Sequence, residues 1–144
     1  MKDKNTIELL SILNNVNDEA KLNSFLNENF DINRSLCLGE YIHKIMVDNN
    51  LKKSEVVKRS GIQRTYAYQI LQGLKTPSRD KVIALCIATG MNFDETHKAL
   101  TIAGEGILYT KDKRDAIIIF AINNGCTVIK ANELLHDMNE LPLD

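Results

Sequence analysis

Two glycines, Gly61 and Gly73, followed by Pro77, divide the stretch LKKSEVVKRSGIQRTYAYQILQGLKTPS (Leu51 to Ser78) into pieces that fit only two short helices hinged at the first glycine. Wherever the rest of the chain has clear periodicity, it is also the helical one. Ile7, Leu10 and Leu13, with Leu9, Ile12 and Val16 beside them, predict a first helix, and Leu22, Phe25, Leu26 and Phe30 a second. Ser35 is placed to cap a third, whose stripe Leu38, Tyr41, Ile42, Ile45 and Met46 ends at Asn49 and Asn50. Beyond Gly73, Pro77 and Ser78 open a helix to about Thr89 with Val82, Leu85 and Cys86 on one side and Gly90 as its stop. Asn92 with Glu95 has the spacing of a capping box, for a helix ending at Gly104.

The run Ala116 to Ile122 is an unbroken apolar block that would also suit a buried strand. No partner strand is visible, so it is read as a nearly fully buried helix between the charged Lys111 to Asp115 and the stop Asn123-Asn124-Gly125. Asp112 and Asp115, with Lys111, Lys113 and Arg114, are expected as a solvated first turn with local ion pairs. Thr127 caps a last helix with Val128, Ala131, Leu135 and Met138 on one face, ended before Pro142. The fold class is therefore all-α, in one domain of ordinary globular composition, 44% apolar and 26% charged over 144 residues.

Charge is unevenly placed. Residues 51 to 81 hold eight basic side chains (Lys52, Lys53, Lys58, Arg59, Arg64, Lys75, Arg79 and Lys81) against two acids, a local balance of +6 in a chain whose total is −1. The flanks are acidic, at −3 over residues 1 to 50 and −4 over residues 82 to 144. A polyanion responds to the local patch rather than the sum.

On a helix from Arg64 to Leu74, Tyr66, Ala67, Ile70 and Leu74 fall on one side, and Arg64, Thr65, Tyr68, Gln69 and Gln72 on the other. The second face is all hydrogen-bonding and carries no acid, unlike an ordinary solvated helix with its Glu–Lys pairs. A guanidinium can bond guanine O6 and N7 in a fork, and a glutamine amide can pair with adenine N6 and N7. Arg64 and Gln69 are thus the leading base readers, with Thr65 and Tyr68 beside them. Lys53, Gln63, Gln72, Lys75 and Arg79 are the candidates for phosphate. Tyr66 is expected chiefly as packing.

Other chemistry finds little support. Cys37, Cys86 and Cys126 are odd in number and far apart, which fits reduced, mostly buried thiols rather than disulfides or zinc. His43, His97 and His136 sit on separate predicted helices, and neither a phosphate loop nor a nucleophile–base pair is recognisable. No enzyme, metal or cofactor is indicated. The start MKDKNTIELLSIL has no signal-peptide pattern and no run reaches the roughly 18 residues of a membrane span, so a cytoplasmic protein is expected.

At Val56-Val57, Gly61, Ile62, Ile70, Gly73 and Pro77 the chain resembles the Xre family, the lambda-repressor-like and Cro-type helix-turn-helix proteins, from Leu38 to about Thr96. The resemblance implies a five-helix DNA-binding unit, to which the helical periodicity on either side adds N-terminal and C-terminal helices. It also implies that Lys53, first in helix two, touches phosphate while Arg64, Thr65 and Gln69 read bases. The expected division is 1–34, an N-terminal extension; 35–104, the DNA-binding domain; and 105–144, a C-terminal extension serving as dimer or effector surface. Four positions depart from the family pattern. Lys52 occupies the helix-two cap in place of Ser or Thr, at a cost of about 1 kcal/mol. Val57 and Ala67 exchange a usual small-large pair, and Leu71 replaces a common acid. The implied role is a transcriptional regulator binding double-stranded DNA as a homodimer. The rival is a protein-interaction module, an antitoxin or adaptor, that shows Tyr68 and Leu71 to a protein partner.

Overall fold

The computed structural model describes residues 37–144 together with Glu19, Lys21 and Leu22. The chain divides into two compact units, residues 1–35 and 36–144, and the second is described below. The helices expected around Ile7 to Val16 and Leu22 to Phe30, and the cap expected at Ser35, lie outside the described residues, apart from Glu19, Lys21 and Leu22, which are helical and exposed.

Among the described residues there are seven helices and no strand: α1 (Leu38–Asp48), α2 (Lys53–Ser60), α3 (Arg64–Leu71), α4 (Arg79–Ala88), α5 (Phe93–Ile102), α6 (Lys113–Asn123) and α7 (Val128–Asp137). The starts follow local chemistry. Cys37 caps α1, its Sγ accepting from the Glu40 N–H, while Asn92 and Glu95 form the reciprocal capping box of α5. Asp112 and Thr127 cap α6 and α7, each accepting from the N–H three residues on. Lys52 precedes α2 without any side-chain cap bond, as the sequence departure implied.

Helix α4 is the axis of the unit. Val82 to Ala88 are all buried, and the helix packs against α2, α5 and α7. This corrects the one-sided stripe expected of Val82, Leu85 and Cys86: a helix enclosed on every side needs apolar residues all round. Helix α6 departs in the opposite sense. Ile117, Ile118, Ala121 and Ile122 face the core, but Ala116 is exposed and Phe120 is 55% exposed, so the block is not nearly fully buried. The reason is that α6 lies at the surface, packed mainly on α5 and α7, and has a solvent side.

Lys111, Asp112 and Lys113 are exposed as expected of a solvated turn, but Arg114 and Asp115 do not pair locally. Arg79 and Asp80, opening α4, cross-pair with Asp115 and Arg114, opening α6, each in a two-pronged arrangement at 2.9–3.0 Å. Arg79 also donates to the carbonyls of Gly106 and Ile107, and Arg114 to those of Leu141 and Pro142, so the two pairs tie the loop before α6 and the chain after α7 to the start of α4. One continuous core, from Leu38 and Tyr41 through Leu85 and Leu100 to Ile118 and Leu135, runs through all of it.

Candidate nucleic-acid interface

Helix α2 ends at Gly61, whose φ of 71° is left-handed and costs glycine nothing. The turn is fixed from inside by Ser60, which is buried: its hydroxyl donates to the Val57 carbonyl at 2.7 Å and accepts the Ile62 N–H at 3.2 Å. Gln63 caps the next helix, its Oε1 accepting from the Tyr66 N–H at 2.8 Å. Helix α3 therefore leaves the turn at a set angle. Its inner side, Ala67 and Ile70, is essentially inaccessible and packs against α1 and α2.

Leu74, expected on that inner side, is 68% exposed. The helix stops at Leu71 with Gln72 as its cap, and Gly73, at φ 80°, turns the chain away before Leu74 is reached. Tyr66 is half-buried against the core with the Lys81 ammonium 5.7 Å from its ring centre, in keeping with a packing role.

The outer side is polar along its length. Arg64, Thr65 and Gln72 are exposed, Tyr68 and Gln69 half-buried, and no acid occurs between Glu55 and Asp80. Lys53 and Gln72 share a cleft of about 330 Å³ with Cys37, Glu40, His43 and Leu71. Leu71 is half-buried there and packs against the core. Lys75 is exposed on the loop that follows.

Arg79 is a correction. It was expected on phosphate, but its guanidinium is engaged by Asp115, Gly106 and Ile107, because Asp115 is 94% buried and requires a cation beside it. Hydrogen bonding to Asp115 raises the Arg79 pKa further and keeps the charge in place. The local balance survives, since Arg79 is neutralised from outside the segment by Asp115 and Asp80 likewise by Arg114. Seven basic groups then face one acid, Glu55, which sits 3.6 Å from Arg59 in an exposed pair.

The cysteines also differ from expectation. Cys86 alone is fully buried; Cys126 is half-buried and Cys37 exposed. Burial pushes the Cys86 thiol up to about 12, which the Thr96 hydrogen bond opposes without cancelling, so it stays protonated at neutral pH. Among the described residues no three His, Cys, Asp or Glu side chains gather as metal ligands, and no helix is long and apolar enough to cross a membrane.

A short helix braced behind by its neighbour, reached through a glycine turn and presenting an acid-free polar side, is a helix-turn-helix unit. Residues 41–96 match the Cro/C1-type helix-turn-helix DNA-binding domain, so the chain carries a DNA-binding domain of that family, consistent with the lambda-repressor-like resemblance of its sequence. No curated protein and no solved structure matches the chain. Sequence reasoning missed Ser60, whose hydroxyl ties the turn, and Gly39, discussed below; a serine and a glycine inside helical stretches give no signal of what lies against them.

Proposed function

We propose that the protein is a sequence-specific transcriptional regulator that lays α3 in the major groove of double-stranded DNA. Arg64 and Gln69 read base edges, with Thr65 as a flanking contact. Lys53, Gln72, Lys75 and the free amide nitrogen of Gln63 hold the phosphates on either side. The observation that carries this reading is the pairing of an exposed donor side on α3, free of acid from residue 56 to 79, with Lys53 and Gln72 in one adjoining cleft. We propose further that two copies bind half-sites about one helical turn apart. The surface of α6 and α7, where Ala116, Phe120, Leu134 and Met138 line an apolar groove, would join them.

Binding sites selected from random DNA provide the test. Arg64→Ala and Gln69→Ala are each expected to lose about 1–3 kcal/mol on the selected site and to relax sequence choice. Lys53→Ala should weaken all DNA nearly equally and lower the slope of log affinity against log salt by about 1. If all three bind the selected site as the parent does, the reading is wrong.

A further inference from the structure

The guanidinium of Arg64 lies over the ring of Tyr68, its central carbon 5.8 Å from the ring centre. The two residues are four apart on α3, one turn along the same side. Arg64 is exposed and Tyr68 half-buried, so the ring is the better-held member of the pair. No acid on the helix competes for the arginine.

We propose that Tyr68 is a positioning residue for Arg64, ordering the guanidinium before α3 meets a base edge. The inference rests on α3 reading DNA, and specifies how its arginine does so. A guanidinium drawn to the face of an aromatic ring is held there without spending an N–H on a hydrogen bond, so its N–H groups stay free. Those groups are what the fork to guanine O6 and N7 requires. A long, flexible side chain that is already held near a ring loses less freedom when it binds. The ring alone is needed for this, so the Tyr68 hydroxyl is dispensable.

The test uses the full chain and a site it selects from random DNA, with the guanine under Arg64 replaced in parallel by 7-deazaguanine, which lacks the N7 acceptor. Tyr68→Phe is expected to match the parent, whereas Tyr68→Leu, which keeps apolar bulk without a π face, should lose about 3- to 5-fold in affinity. That loss should vanish in an Arg64→Ala background, and the 7-deazaguanine penalty should shrink in Tyr68→Leu but not in Tyr68→Phe. Two results would overturn the proposal: Tyr68→Phe as weak as Tyr68→Leu, which assigns the effect to the hydroxyl, or a Tyr68→Leu loss undiminished without Arg64. A parent that selects no sequence at all removes the DNA reading itself, and does so before any variant is compared.

Discussion

Gly39 sets how closely α1 can approach the end of α3. A Cβ built there would overlap the carbonyl oxygen of Leu71 and lie 3.1 Å from its carbonyl carbon and 3.3 Å from the Ile70 oxygen, all of it backbone that cannot rotate aside. Replacing a helical glycine by alanine ordinarily stabilises by up to about 1 kcal/mol. Here the overlap opposes that gain, and overpacking of this kind costs about 1–3 kcal/mol. Gly39→Ala is therefore expected to lower stability in chemical denaturation and to weaken specific DNA binding, because the end of α3 must move. Gly106→Ala is the control: its Cβ would meet only Arg79 Nε at 4.0 Å, an ordinary contact, and should leave both measurements near the parent. The stripe around Gly39 was readable as a helix from its neighbours Leu38, Tyr41 and Ile42. The closeness of another backbone was not, because sequence spacing describes one helix and not the partner it meets.

At the level of elements, the crossed pairs between the starts of α4 and α6 make the C-terminal helices part of the unit rather than a loose addition. Burial by itself would raise the Asp115 carboxyl, but hydrogen bonds from Arg79 and the Tyr109 N–H, with the charges of Arg79 and Arg114, hold it below the usual carboxylate range. Asp80 is lowered in the same way, against its burial, by Arg114 and the Asp144 N–H. A carboxyl with a depressed pKa in the folded state stabilises above its unfolded value, near about 4, and that contribution is lost as pH falls through the folded pKa. Stability should thus hold down to about pH 4 and decline below it. Asp115→Asn is expected to cost about 3 kcal/mol at neutral pH, since it strands a guanidinium that is 26% exposed, and to flatten the acid decline. Thermal melts from pH 2 to 7 would check both, and an unchanged acid limb would remove Asp115 from this role. These partners were invisible in the sequence, because Arg79 and Asp115 are 36 positions apart and local spacing favoured pairs within the first turn of α6. Capping signals at Asn92 and Thr127 were legible because a cap acts within three residues, whereas Asp112 was read for its charge and not as the cap it is. The polar side of α3 was legible for the same reason, whereas the engagement of Arg79 depended on another helix.

For the whole molecule, the proposed pairing of two copies turns on the apolar groove on α6 and α7. Ala116 and Phe120 lie one turn apart on the exposed side of α6, and Leu134 and Met138 form the opposite wall. Phe120 is 55% and Met138 46% exposed, more apolar surface than a solvated helix needs. In a symmetric pair the same patch must meet itself, and a large ring next to a small alanine suits that, one copy's Phe120 filling the space above the other's Ala116. A cation placed there would be buried beside the groove's own Lys113, so Phe120→Lys should break the pair while leaving the fold and α3 intact. Sedimentation should then report dimer for the parent and monomer for the variant. On a DNA fragment with a single half-site the two should bind alike. With both half-sites the parent should gain about 100-fold or more over the variant, because linking two weak contacts makes the second one intramolecular. A parent that sediments as a monomer, free and on two half-sites, would show instead that each copy acts alone and that the groove serves some other end.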